Sequence, residues 1–187
     1  LKRAGELGTK YEVQVLEGYR ERAGDGVIEL PPTASSDAVA PAEAVAATTV
    51  ALVSDADVIY QAAFAGEDFV GFADFLLRDE QGLWVVQDTK LARHARVTAL
   101  MQLAAYADRI EALGFVPSER VELLLGDGTL SVHELRDLMP TFRLRRERLR
   151  ALIADRDIAA GAAGAAISWG DSRGDLQIVA CGRCATC

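Results

Sequence analysis

Residues 58–90 read VIYQAAFAGEDFVGFADFLLRDEQGLWVVQDTK, three runs rich in β-branched and aromatic residues with two short polar turns between them. The runs cover 58–64, 69–77 and 83–90, and runs of this kind bounded by turn residues are typical of β-strands. Because short turns connect antiparallel neighbours, the stretch predicts three consecutive antiparallel strands.

Apolar residues at helical spacing on both sides of this stretch predict helices, and shorter β-rich runs predict further strands. The predicted order is α-β-α-βββ-α-ββ-α, an α/β fold with a mixed sheet and helices packed on it. We assign residues 1–156 to this core and 157–187 to a linker and a cysteine-rich tail. The predicted helices cover 6–23, about 41–49, 96–113 and 137–156, and the further strands cover 27–30, 121–125 and 130–135.

Length and composition indicate one globular domain. The chain has 187 residues, 50% apolar and 26% charged, which is ordinary for a protein with its own core. No apolar run approaches the roughly 18–20 residues that span a bilayer, so we expect a cytoplasmic protein without membrane contact. The net charge of −8 argues against broad electrostatic attraction to nucleic acid, although a local basic cluster is compatible with it. The chain starts at Leu1 and ends on Cys187, and we expect it to be part of a longer protein.

Two aspartates lie within the apolar strands, Asp74 in GFADFLL and Asp88 in WVVQDTK. A buried carboxylate is costly unless something cationic compensates it. Side chains two residues apart share a strand face, so Asp88 and Lys90 point the same way. A hairpin loop of 80–82 or of 79–83 would place Asp74 directly opposite Asp88, with their Cβ atoms roughly 4.5–5.5 Å apart.

Two carboxylates at that separation repel each other, and a divalent cation would relieve the repulsion. Mg²⁺ or Mn²⁺ favours oxygen ligands and typically takes one or two protein carboxylates. Lys90 would then orient the attacking water or stabilise charge on a phosphate. The alternative is a structural ion pair between Lys90 and one of the aspartates.

The next predicted helix carries Gln102 and Tyr106, four residues apart and therefore one turn apart on the same face. Taken together, GFAD, QDTK and Gln102-x-x-x-Tyr106 resemble the successive motifs of the RecB-like branch of the PD-(D/E)XK nucleases. The resemblance covers nearly the whole chain, from about residue 6 to 187. It implies a restriction-endonuclease-like core and hydrolysis of phosphodiester bonds in DNA.

The resemblance also implies a role for each matching residue. It makes the protein a metal-dependent exonuclease for single-stranded or end-exposed DNA, which acts in repair or recombination with a helicase domain or subunit. We add Arg93 and Arg96 as DNA-binding residues, because they lie close together just after the QDTK segment. The implied catalytic residues are Asp74, Asp88, Lys90, Gln102 and Tyr106, and the implied ligands of Mg²⁺ or Mn²⁺ are Asp74, Asp88 and Thr89.

One segment departs from the family pattern. Many members carry a His on the first helix in a Gly-x-x-His-Glu context, as an additional metal ligand. Here residues 8–12 read GTKYE, so Tyr11 occupies the His position. A phenol normally stays protonated and is a poor ligand for Mg²⁺, so Glu12 or a water would have to replace it. We expect His94 to be a polar loop residue or a phosphate contact, and His133 to be structural.

All three cysteines fall in the last seven residues, at Cys181, Cys184 and Cys187. A disulfide framework would distribute its cysteines through the fold, so this tail indicates a metal site in a reducing compartment. Three cysteines at this spacing match an iron–sulfur run, and a zinc half-site is the alternative. The family resemblance implies a [4Fe–4S] cluster whose fourth cysteine precedes the nuclease core, which here places it before Leu1.

Three functional hypotheses follow from the sequence. The first is the metal-dependent nuclease. The second is a DNA-binding module of the same fold whose metal site is weakened at Tyr11. The third is an iron–sulfur scaffold or redox domain with no role at nucleic acid.

Overall fold

The computed structural model describes residues 2–31, 42–66, 68–160, 172–173 and 176–177. The helices are α1 (Lys2–Ala23), α2 (Ala42–Leu52), α3 (Val97–Ala112) and α4 (Leu135–Ala160), and a 3₁₀ turn (Gly24–Gly26) follows α1. The strands are β1 (Val27–Glu29), β2 (Val58–Gly66), β3 (Phe69–Arg78), β4 (Trp84–Lys90), β5 (Pro117–Leu125), β6 (Leu130–Glu134), β7 (Ser172–Arg173) and β8 (Leu176–Gln177).

The central feature is a six-stranded sheet in the order β1-β2-β3-β4-β5-β6. β1 runs parallel to β2 and β4 runs parallel to β5, while the other three pairs are antiparallel. The sheet is therefore mixed, and helices flank it. The predicted α/β class is confirmed, and the architecture is compatible with a restriction-endonuclease-like core.

The hairpin between β3 and β4 sets the register of the site. Its first ladder pair is Arg78 with Trp84, so the loop comprises 79–83, the longer of the two predicted lengths. The Asp79 carboxylate accepts the backbone N–H groups of Gln81 and Leu83, both at 2.9 Å, and so holds the loop closed. Such Asx turns are a local property of the sequence, which explains why the register could be predicted.

Apolar residues of the sheet are covered by α1 and α3. Leu16 of α1 packs with Val58 and Phe75 in one buried cluster. Leu103 and Ile110 of α3 are completely buried. Full burial of one such side chain stabilises a fold by about 1.5–3 kcal/mol, so these contacts fix where both helices lie on the sheet.

The chain divides into two compact units, Leu1–Met139 and Pro140–Cys187. The six-stranded sheet and the first three helices belong to the first unit, and the division falls at a proline inside α4. The predicted domain boundary after residue 156 stays a prediction. The predicted cysteine ligands, at 181–187, lie outside the described residues. None of the described helices combines the length and the apolar character needed to cross a membrane.

Candidate functional site

The candidate site lies where β3 and β4 part. The ladder pairs between these strands end at Phe75–Gln87, although both strands continue past that point. Asp74 and Asp88 are the next residues on the two strands. The backbone N–H and the hydroxyl of Thr89 both donate to Oδ2 of Asp74, each at 2.9 Å. Asp74 thus accepts the hydrogen bonds from β4 just past the end of the ladder, which fixes its orientation.

Asp88 is buried, with 1% of its surface exposed, and within the described chain neither carboxylate oxygen has a hydrogen-bond donor. Lys90 Nζ makes an ion pair with Oδ2 of Asp88 and so compensates part of its charge. Burial, together with the adjacent Asp74, raises the pKa of Asp88 to about 7, although Lys90 opposes the shift. The prediction that Asp74, Asp88 and Lys90 converge is therefore confirmed.

Glu12 of α1 lies near the same charged residues, Asp74 and Lys90. Burial raises the pKa of Glu12, the charge of Asp74 adds to the increase, and Lys90 lowers it. Gln61 Nε2 donates to Oε1 of Glu12. Gln61 has a φ of 60°, which is uncommon for a residue with a Cβ. It stands between two ladder pairs, Tyr60–Phe75 and Ala62–Ala73, at the position across from Asp74.

The Tyr11 hydroxyl donates to the carbonyl of Leu125 at 2.5 Å, at the end of β5. Tyr11 is therefore engaged with β5, and it is Glu12 that comes near Asp74. The only sequence signal for Glu12 was its place beside the expected His position. No signal pointed to Gln61, because its backbone conformation and its bond to α1 are both tertiary properties.

The Gln102 and Tyr106 pair is packed onto the GFAD segment. Gln102 Nε2 donates to the Tyr106 hydroxyl at 3.0 Å, and that hydroxyl donates to the carbonyl of Phe72 at 2.7 Å. A Cβ on Gly71 would lie 2.7 Å from Cε1 of Tyr106, so a glycine is needed where the ring approaches. The sequence predicts that Gln102 and Tyr106 both face the cleft beside Lys90; Gln102 does line it, whereas Tyr106 is buried and is not among the lining residues.

Burial also raises the pKa of Tyr106 to about 12, and the charges of Asp88 and Asp74 contribute to this shift. The phenol therefore remains protonated at any physiological pH and keeps donating its hydrogen bond. Tyr106 braces Gln102 and is near the acidic pair electrostatically, but it is not among the residues that line the cleft.

The two predicted DNA-binding arginines differ in position. Arg96 lines the cleft beside Lys90, and so does His94. Arg93 is exposed and is not among the lining residues. Of the two arginines that were predicted together, Arg96 therefore lines the cleft and Arg93 does not.

A divalent cation at this site would need donor atoms from nearby side chains. Within the described residues no group of three or more His, Cys, Asp or Glu side chains is arranged to hold a metal ion. Asp74 and Asp88 nevertheless offer carboxylate oxygens, and those of Asp88 are buried without donors. Two carboxylates suffice for Mg²⁺, which keeps several waters, so the residues fit. Thr89 donates its hydroxyl and its backbone N–H to Asp74, and these contacts give it the role of orienting Asp74.

A second polar network lies beside the acidic pair, and its members satisfy one another. The Tyr19 hydroxyl donates to Oε1 of Gln87 at 2.7 Å, and Gln87 Nε2 donates to Glu122 at 2.8 Å. Arg120 Nε pairs with the other oxygen of Glu122 at 3.1 Å. Such mutual satisfaction is what a buried polar group requires for stability.

No protein-family model matches this chain, and no curated protein sequence matches it. The geometry of the site and the motifs in the sequence are therefore what indicates the function.

Proposed function

We propose that this chain is a divalent-metal-dependent nuclease of the PD-(D/E)XK type that hydrolyses single-stranded or end-exposed DNA. The observation that carries the proposal is Asp88, a buried carboxylate beside Asp74 that has, among the described residues, the ion pair with Lys90 but no further donor. Burying a carboxylate with incomplete compensation costs several kcal/mol. Groups held in this way cluster at functional sites, where a ligand supplies the missing partner.

The chain's own residues would divide the work. Asp74, oriented by Thr89, and Asp88 present the oxygen ligands that Mg²⁺ or Mn²⁺ prefers. When bound, such an ion supplies Lewis acidity for phosphodiester hydrolysis. Lys90 contacts Asp88 and also lines the cleft, so its ammonium group would stabilise negative charge on a phosphate there. Gln102, braced by Tyr106, presents its amide in the same cleft.

The test is a cleavage assay on end-labelled single-stranded DNA with Mg²⁺ or Mn²⁺. We expect Asp88→Asn to reduce the rate at least about 100-fold, as loss of one electrostatic group at an active site does. Glu80→Gln is the matched control, because it neutralises an exposed carboxylate on the β3–β4 loop. A wild-type chain that cuts with neither metal, or an Asp88→Asn variant as active as wild type, would refute the nuclease proposal.

The second candidate is a DNA-binding module with a weakened metal site. One observation favours it: the Tyr11 hydroxyl donates to the carbonyl of Leu125, so Tyr11 does not supply the metal ligand expected at its position. Such a module would bind single-stranded DNA in EDTA, with an affinity that falls as salt rises, and would not cut it. Measuring binding and cleavage on the same DNA distinguishes the two candidates.

The wider assignments rest on the sequence alone. We propose a helicase partner and a [4Fe–4S] cluster on Cys181, Cys184 and Cys187. The cluster is tested by measuring iron, sulfide and zinc in the protein purified without oxygen. Zinc without iron would replace the cluster with a structural zinc site. A chain that carries iron but neither binds nor cuts DNA would favour the scaffold or redox hypothesis.

A further inference from the structure

A cleft of about 590 Å³ opens beside Lys90. It is bordered by the segment between β4 and α3, by the first turns of α3 and by the end of β5. Its volume is within the range of about 300–1,000 Å³ that is typical of small-molecule sites. The cleft shares Lys90 with the acidic pair, so a ligand bound in it would be next to Asp88.

One side of the cleft is basic. Lys90, His94 and Arg96 line it, and none of its ten described lining residues is acidic. This is notable in a chain with a net charge of −8. Another described cleft, about 270 Å³ beside the β3–β4 loop, has the opposite character, with four acidic residues and one basic residue, Arg120, in its described lining. Local positive charge on an acidic protein favours binding of an anion.

The start of α3 adds to this basic side. Arg96 is the N-cap residue, its backbone is extended, and its side chain makes no capping hydrogen bond. Thr98 in the first turn lines the cleft. The first turn of a helix carries partial positive charge and backbone N–H donors, so it reinforces the cationic side chains.

The floor of the cleft is apolar. Leu123 and Leu125 of β5 form it, both almost completely buried, together with Ala99. Leu91 borders the opening and is 47% exposed, so its side chain is accessible to a bound ligand. A site for phosphate alone would need no apolar surface. A nucleotide has both a phosphate and a flat base, and proteins hold an unpaired base against apolar or aromatic side chains.

We propose that this cleft is a nucleotide subsite, in which Arg96 and His94 bind a phosphate and Leu91 and Leu125 hold the unpaired base. The inference deepens the proposed function and rests on it for its biological role, since it specifies which residues would hold the DNA strand beside Asp88. It also separates Arg96, inside the subsite, from Arg93, outside it.

The test measures binding to the full chain in EDTA, by calorimetry or NMR, with three probes: thymidine 5′-monophosphate, thymidine and inorganic phosphate. We expect the monophosphate to bind at least tenfold more tightly than either of the other probes. Arg96→Ala should weaken the monophosphate and inorganic phosphate about tenfold, as loss of a charge-assisted hydrogen bond does, and leave thymidine unchanged. Leu91→Ala should weaken the monophosphate and thymidine about two- to fivefold through lost apolar contact and leave inorganic phosphate unchanged.

Arg136→Ala removes an exposed arginine outside the cleft; it is the matched control and should leave all three affinities within about twofold of wild type. Circular dichroism and the unfolding midpoint establish that each variant is folded. Binding of the monophosphate no tighter than inorganic phosphate, or an Arg136→Ala effect equal to that of Arg96→Ala, would overturn the subsite. Because the measurement needs neither metal nor cleavage, a chain that binds as expected but does not cut DNA refutes only the nuclease proposal. A chain that cuts DNA without this binding pattern refutes only the subsite.

Discussion

Gln87 and Asp88 are neighbours on β4 and are equally buried, at 3% and 1% exposure, but their polar atoms are treated in opposite ways. Gln87 accepts a hydrogen bond from Tyr19 and donates one to Glu122. Asp88 has the ion pair with Lys90 but no further donor among the described residues, and Asp74 lies beside it. Gln87 therefore completes a hydrogen-bond network, whereas the carboxylate of Asp88 has too few donors.

This difference in hydrogen bonding is the one expected between a structural residue and a ligand-binding residue. A satisfied buried amide contributes modestly to stability, and removing it leaves its partners unpaired. An incompletely compensated carboxylate destabilises the fold, so stability alone would favour its replacement. Under the proposed function, Gln87 serves the fold and Asp88 serves a ligand. The predictions below test this distinction through stability, independently of cleavage.

The largest effect is expected for Gln87→Ala. The change removes an acceptor from Tyr19 and a donor from Glu122 and leaves a cavity, so we expect a loss of about 3 kcal/mol in the free energy of unfolding. Urea denaturation at pH 7 measures it. Gln81→Ala makes the same chemical change at an exposed position of the β3–β4 loop and should cost less than about 0.5 kcal/mol. If Gln87→Ala is as mild as this control, the network is not structural and the comparison fails.

An intermediate effect of opposite sign is expected for Asp88→Asn, and it should depend on pH. The pKa of Asp88 is raised in the folded state, to about 7, so the folded chain holds this proton more tightly than the unfolded chain does. The resulting stabilisation is present below the ordinary carboxyl pKa near 4 and is lost as pH rises through about 7. The wild type should therefore lose stability over this range, and Asp88→Asn should lose less.

In EDTA, we expect Asp88→Asn to be more stable than wild type by about 2 kcal/mol at pH 8, with the difference vanishing near pH 4. Denaturation midpoints at unit steps of pH measure it. Glu12 shifts in the same direction in both proteins, so the comparison largely removes its contribution. Glu80→Gln, at an exposed carboxylate, should show no such dependence. A variant that is less stable than wild type at pH 8 would mean that Asp88 is structural after all.

Part of the fold and of the candidate site could be predicted from the sequence. The three central strands and their turns follow from local patterns, and either predicted hairpin loop gives the register that brings Asp74, Asp88 and Lys90 together. The spacing of Gln102 and Tyr106 predicts a shared helix face, but their packing against GFAD does not follow from it.

What could not be predicted depends on contacts between distant parts of the chain. The β3–β4 ladder ends at Phe75–Gln87, and that ending lets Thr89 bond to Asp74. Glu12 reaches Asp74 only because α1 packs on the sheet, and Gln61 takes a φ of 60° within a strand. The satisfied state of Gln87 likewise depends on Tyr19, 68 residues earlier in the chain. Periodicity and spacing carry no information about any of these contacts.

The smallest effect is expected for Tyr106→Phe, which tests whether closeness to the acidic pair is enough to make a residue functional. The change removes the hydroxyl that donates to Phe72 and accepts from Gln102, while the ring keeps its contacts with Phe64 and Phe69. We expect a loss of about 1 kcal/mol in the free energy of unfolding, the usual contribution of a buried hydrogen bond. Tyr106→Leu is the matched control, because it also removes the ring and should cost more, about 2–4 kcal/mol. Cleavage by Tyr106→Phe should fall no more than about tenfold, since its hydroxyl only braces Gln102. A loss of activity as large as that of Asp88→Asn would place Tyr106 with Asp88, as a residue required for the reaction itself.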